Sequence, residues 1–244
     1  QSLVDAAAEG LLADSAMIAH GRGEAFDYLL GEVTSESAMS AIRETSARLL
    51  SAERPVISVN GNTVVLAGED LIRVAAVVGC PIEVNLYYRT PERVSGLLDR
   101  LSEQRERVAA GAAPQGWSGD WRKAVESVEL LGEAADHRIP GLEGPRAMCC
   151  WDGIGCADVV LVPLEDGDRC EALVAAGKQV LVIDLNPLSR TSMTATVTIV
   201  DEVSRASSKL LDQVVAGERE SGYWDNAAAL NAALDIISDA SVDA

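Results

Sequence analysis

The polar and apolar positions of this chain fall into alternating blocks, and the blocks are plainest in its C-terminal half. ADVVLVP (157–163), KQVLVID (178–184) and ATVTIVD (195–201) are short β-branched runs, the pattern of strands covered on both faces. DGDRCEALVAAG (166–177) and EVSRASSKLLDQVVAG (202–217) place apolar residues at helical spacing and stop at glycine. Strand, helix and strand in so short a span form a βαβ unit, which predicts a parallel sheet. The N-terminal half repeats the theme. A helix is predicted over 35–53, a strand over 55–62 ending in a polar glycine turn, and a helix over 67–79. A strand over 81–88 and a helix opened by Thr90-Pro91 follow. The segment from about 110 to 136 lacks strand signals and is expected to be an acidic surface insertion or a helical excursion, the insertion being bounded at about 104–136. Residues 222–244 read as a terminal helix and tail. No repeat and no clean linker interrupt the series. The expectation is an α/β protein, one domain over 1–244, with a mostly parallel sheet flanked by helices.

Charge alters this picture most. Against 38 Asp and Glu stand 20 Lys and Arg, a net charge of −18, and the only lysines are Lys123, Lys178 and Lys209. So acidic a chain, 48% hydrophobic yet 4% aromatic, suggests a cytoplasm rich in salt, where the Debye length shrinks to about 3 Å at 1 M. An acidic protein of an ordinary cytoplasm is the alternative. Either way the charge disfavours nucleic acids and anionic membranes as partners. No run reaches the roughly 20 apolar residues of a membrane span, and QSLVDAAAEG has neither region of a secretory signal. Cys80, Cys149, Cys150, Cys156 and Cys170 are odd in number and follow no zinc spacing, so free thiols of a reducing compartment are expected.

Open parallel sheets bind ligands at the carboxyl ends of their strands, and there the polar clusters fall. Asn60-Gly61-Asn62 follows the strand at 55, Arg89 the strand at 81, and Asp166, Asp168 and Arg169 the strand at 157. Asp184-Leu185-Asn186 through Arg190-Thr191 follows the strand at 178, and Glu202 the strand at 195. Each has a plainer reading: a tight turn at Gly61, a helix cap at Asp166 or Asp168, a surface arginine at 89. Convergence on one edge is what points to a cleft. His20-Gly21-Arg22-Gly23-Glu24 adds an arginine between glycines, expected in a loop ahead of a helix, where its planar fork suits phosphate or carboxylate. His20 reads as an anchoring or substrate-contacting group and His137 as a loop residue. Arg22, Arg89, Arg169 and Arg190 suit a ligand with several anionic groups, such as a nucleotide beside a phosphorylated acid. Asp166, Asp168 or Asp184 could hold Mg²⁺ or ribose hydroxyls. GxxxxGK[ST] and GxGxxG are absent, and no Ser/His/Asp or Cys/His set is evident. That favours catalysis by positioning and charge stabilisation, with catalytic residues and metal ligands unassigned.

The motifs AHGRGEAFDYLLGE, PVISVNGN, IEVNLYYRTPERV, RIPGLEG, ADVVLVPLEDGDR, DLNPLSRTS and TIVDEVSRA, in this order, resemble the archaeal 4-phosphopantoate–β-alanine ligase family, also called phosphopantothenate synthetase. The resemblance covers roughly residues 15–205; the stretch 104–136 departs from the family pattern. It implies a cytoplasmic, Rossmann-like homodimer of coenzyme A biosynthesis that joins (R)-4-phosphopantoate to β-alanine, turning ATP with Mg²⁺ into AMP and pyrophosphate through an acyl-adenylate. By that resemblance the nucleotide lies against Arg22, Asp184, Leu185, Asn186, Arg190, Thr191, Glu202 and Val203. Asn60, Asn62, Arg89 and Arg169 are the candidates for phosphopantoate, with His20, Asp166 and Asp168 as further substrate contacts. The acidity fits a member from a salt-loving archaeon that needs molar salt for activity. Two rival readings stand beside it. One is a nucleotide-dependent enzyme of another reaction, such as a Rossmann-type oxidoreductase; the other is a nucleotide or coenzyme A sensor without turnover.

Overall fold

A computed structural model describes residues 2–239 of the chain. In chain order its elements are α1 (Ser2–Ala8), α2 (Asp14–Leu29), α3 (Glu36–Ser51), β1 (Pro55–Val59), α4 (Gly61–Val78), β2 (Ile82–Val84) and α5 (Pro91–Ala110). Next come α6 (Trp121–Glu126), β3 (Leu130–Leu131), β4 (His137–Arg138), β5 (Met148–Cys149), β6 (Val159–Pro163) and α7 (Gly167–Ala175). The series closes with β7 (Gln179–Ile183), α8 (Arg190–Thr194), β8 (Val197–Ile199), α9 (Val203–Ala216) and α10 (Asn226–Asp239). Side-chain caps set many of the helix starts. Ser35, Asn60, Thr90 and Asp166 each accept a hydrogen bond from a backbone N–H of the first turn, and Glu202 accepts two. Gly79 and Gly217, in the left-handed region, stop α4 and α9.

All six strands of the main sheet are parallel, in the order β3-β2-β1-β6-β7-β8, with β4 and β5 as a separate antiparallel pair. Alternation along the strands sorts their side chains to two faces. Ile57, Leu161, Leu181 and Ile199 enter one core beneath α3, α4, α5 and α9; Val56, Val160, Val162, Val180 and Val182 enter another with Leu173 of α7 and Ile154. Both faces being covered explains why these strands read as continuous apolar runs rather than as alternating ones. The fold is α/β.

Several boundaries differ from the sequence reading, each for a local reason. The helix expected from 67 starts at Gly61, because Asn60 caps it instead of making a turn. The strand expected to reach 88 ends at Val84; Leu86 is still buried, but Tyr87 and Tyr88 are exposed in the loop that follows. Leu130 and Leu131 pair with Ile82 and Glu83, so the segment expected to lack strands supplies the sheet edge. His137 pairs with Cys149 rather than lying in a loop. Arg22 and its flanking glycines sit inside α2, not ahead of a helix, and neither Gly21 nor Gly23 takes a positive φ.

Candidate active site

Strand order makes a crevice before any side chain is considered. β1 lies between β2 and β6, and the chain leaves β1 toward β2 but β6 toward β7. The loops after these central strands therefore part, and such a switch point is where open parallel sheets hold ligands. A cavity of about 830 Å³ opens there, a volume that suits a small-molecule site. Residues following β1, β2, β6, β7 and β8 line it, and Leu11, Leu12 and α2 cover it.

Asn60 ties the parting loops together. Its Nδ2 donates to the carbonyls of Leu164 (2.9 Å) and Pro163 (3.4 Å), while its Oδ1 accepts from the Thr63 N–H. That side chain is fully engaged with protein. Leu164 itself is held at φ 57, a left-handed conformation that costs a non-glycine residue roughly 1–3 kcal/mol. Such strain persists only where surrounding contacts enforce it; here it turns the chain so that Glu165, Asp166 and Arg169 line the cavity.

Charge is concentrated on this wall. Arg169 is only 3% exposed; its Nη1 donates to the Arg146 carbonyl (2.9 Å), its Nε lies 3.2 Å from Glu165 Oε2, and its Nη2 finds no hydrogen-bond partner among the described residues. Arg146 reaches Asp166 at 2.7 Å and Asp168 at 2.8 Å and lies over the Tyr87 ring, 5.0 Å from its centroid. The hydrogen bond from Arg146 holds the Asp168 carboxyl below the usual range, whereas burial pushes Glu165 up against the pull of Arg169. Asp184 is likewise raised by burial, although Ser189 Oγ and the Asn186 N–H donate to it. Arg22 lines the cavity from α2 with no hydrogen bond or ion pair to any described residue, while His20 lies 3.3 Å from Glu24.

The predicted residues separate into two groups. His20, Arg22, Asn60, Asn62, Asp166, Arg169, Asp184, Leu185, Asn186, Glu202 and Val203 line the cavity together. Arg89, Asp168, Arg190 and Thr191 do not line it. Arg89 turns away and donates to the Gly132 carbonyl. Arg190 is exposed and pairs with Asp168 (2.5 Å) and Glu171 (3.6 Å), and the buried Thr191 hydroxyl supports the Glu165 carbonyl (2.9 Å). The sequence reading missed Asn85, Tyr87, Tyr88, Arg93 and Arg146, while Glu165 lay within the strand-end cluster it did mark. Ending the strand at Val84 would have exposed the first three as a strand-end cluster. Arg146 had only the scarcity of basic residues to mark it.

The acidic residues proposed for Mg²⁺ do not fit a resident metal. Asp166 and Asp168 face arginines, Asp184 is taken by Ser189 and a backbone N–H, and no described group of three His, Cys, Asp or Glu could hold an ion. The five cysteines carry free thiols, and burial pushes Cys80, Cys149 and Cys170 up to about 12, so none of these three is an activated nucleophile. Among the described residues no helix is long and apolar enough to cross a membrane.

The phosphopantothenate/pantothenate synthetase family profile matches residues 37–239. A 4-phosphopantoate–β-alanine ligase of Thermococcus onnurineus is 44% identical over 212 residues, covering 87% of this chain and 74% of that protein. One from Methanospirillum hungatei is 46% identical over 197 residues, covering 81% and 72%, and one from Methanosarcina mazei is 48% identical over 197 residues, covering 81% and 69%. The chain belongs to the phosphopantothenate/pantothenate synthetase family.

Proposed function

We propose that this protein joins 4-phosphopantoate to β-alanine at the expense of ATP, forming 4′-phosphopantothenate, AMP and pyrophosphate in coenzyme A biosynthesis. The family supports the reaction, and one structural observation carries it to this cavity. In a chain of net charge −18, the buried Arg169 with an unpartnered Nη2 and the unpaired Arg22 face the same space. Arg169 is paired with Glu165 but keeps a donor to spare, and with the unpaired Arg22 on the same cavity wall it suits an anionic ligand.

The chemistry follows from the weakness of a carboxylate as electrophile. A carboxylate oxygen of 4-phosphopantoate attacks the α-phosphorus of ATP, the bond to the bridging oxygen breaks, and pyrophosphate leaves. The β-alanine amine, having given up one proton, then attacks the acyl carbon. The bond from that carbon to the AMP oxygen breaks, AMP leaves, and the nitrogen loses its second proton to solvent. Both steps shift charge on phosphate oxygens, which fixed guanidinium groups stabilise without rearranging. Mg²⁺ would enter on the nucleotide phosphates as part of the substrate.

The nucleotide belongs at the β7–β8 end, where Arg22, Asp184, Leu185, Asn186, Glu202 and Val203 meet the apolar side of Phe26. Phosphopantoate belongs at the switch point beside Arg169 and Asn62. Arg190 and Thr191 then act on the site through Asp168 and the Glu165 carbonyl. We carry the homodimer and a salt-rich cytoplasm forward within this proposal; exposed Tyr28, Leu29, Leu188 and Met193 are apolar surface a partner subunit would cover. Arg22→Ala, on an exposed helix face, should raise KM for ATP about tenfold or more with the fold intact. An unchanged KM would remove Arg22 from the nucleotide site.

A further inference from the structure

Two groups at the β2 end of the cavity have no task in the assignment above. The first is Asn85, only 5% exposed. Its Nδ2 donates to Ser58 Oγ at 3.1 Å and to the Glu83 carbonyl at 3.4 Å. That carbonyl can only accept, so the amide orientation is fixed and Oδ1 is the atom left over, buried with no hydrogen-bond partner among the described residues. A buried acceptor without a donor is destabilising, and because Asn85 lines the cavity, a ligand there can complete it. The second group is Arg93. Among the described residues its guanidinium meets only backbone carbonyls, those of Tyr88 and Leu12, each at 3.3 Å, and no described carboxylate neutralises it. The half-exposed Tyr87 and Tyr88 rings stack edge to face beside it and frame the opening.

The two groups differ in depth and in chemistry. Asn85 offers a neutral acceptor on the buried floor; Arg93 offers a cation nearer the rim. A short zwitterion matches that polarity, with its ammonium inward and its carboxylate outward. The orientation also suits the chemistry, because the amine must reach the acyl carbon inside the crevice while the carboxylate takes no part. The β2 end lies across the switch point from β7 and β8, so an acceptor docked there approaches an acyl-adenylate from the side away from its nucleotide.

We propose that the β2 end of the cavity is the β-alanine subsite, in which Asn85 Oδ1 accepts from the amine and Arg93 pairs with the carboxylate. The assignment rests on the ligase reading above, and two assays keep them apart. Exchange of labelled pyrophosphate into ATP, with 4-phosphopantoate and no β-alanine, reads adenylation alone. Formation of 4′-phosphopantothenate reads KM for β-alanine. Asn85→Ala and Arg93→Gln should each raise that KM tenfold or more and leave exchange within twofold of wild type. Arg93→Gln should also leave trapping of the acyl-adenylate by hydroxylamine, an amine without a carboxylate, at the wild-type rate. Should Asn85→Ala fail to fold through its lost bond to Ser58, Arg93→Gln alone decides. An unchanged KM for β-alanine in Arg93→Gln, or exchange falling along with it, overturns the subsite. Absence of exchange in the wild-type enzyme would instead defeat the ligase reading, and the subsite with it.

Discussion

Glu83 shows how one residue underpins the site without touching a substrate. It is fully buried on β2, and its carboxylate accepts from the Cys150 N–H (2.9 Å) and the Ile154 N–H (2.7 Å), pinning the 150–154 turn against the sheet. A side chain on Gly153 would collide with this carboxylate, which is why the turn is closed by glycine. Burial pushes the Glu83 carboxyl up, opposed by those two N–H groups and by Arg169. A raised folded-state pKa gives stability that is complete below the ordinary glutamate range and lost as pH rises through the folded value. Glu83→Gln removes that dependence, so the wild type should lose stability relative to the variant as pH rises above about 4.3. Urea midpoints across this range provide the check, and parallel curves would refute it. Legibility at this scale followed position. Asn62, Arg169, Asp184 and Asn186 were readable because they follow strands, whereas Arg146 and Glu83 act through contacts distant in sequence that no local pattern signals. Arg89 stood out as a strand-end residue because the strand before it was read to 88; that strand stops at Val84, and Arg89 lies off the cavity.

At the scale of elements, α2 is the least obvious. Its two glycines resemble turn signals, yet Gly21 and Gly23 have helical neighbours on both sides and ordinary φ values. None of its described side chains is fully buried; it is held by Asp27, which pairs with Arg205 at 2.6 Å, and by Asn62, which donates to the Ala16 carbonyl at 3.1 Å. Arg205 in turn grips the buried Asp201, anchoring α2 to the start of α9. A Cβ on Gly21 would meet nothing within 4 Å. Gly21→Ala should therefore stabilise α2 by about 0.5–1 kcal/mol, read as slower hydrogen exchange over residues 18–28. Faster exchange would mean the segment is the loop its glycines suggested. The parallel sheet and its flanking helices were legible because β-branched runs and glycine stops repeat. β3 was not, because two residues carry no periodicity and pairing with β2 alone defines them.

Across the whole molecule, the distribution of charge matters more than its sum. The chain is strongly acidic, yet Arg22, Arg93, Arg146 and Arg169 collect on one cavity. Long-range attraction of anionic substrates to such a surface is weak, so local guanidinium groups must supply what the net charge opposes. Salt screens the repulsion between acidic surface and anionic substrate, and activity should rise toward molar potassium chloride. The most direct test of the account is release of pyrophosphate and AMP from Mg-ATP at high potassium chloride, omitting 4-phosphopantoate or β-alanine in turn. Pyrophosphate release that requires 4-phosphopantoate, with AMP appearing only once β-alanine is present, is the result predicted for a ligase working through an acyl-adenylate. No release from the folded protein with both acceptors present would contradict it and leave a nucleotide-binding sensor in its place.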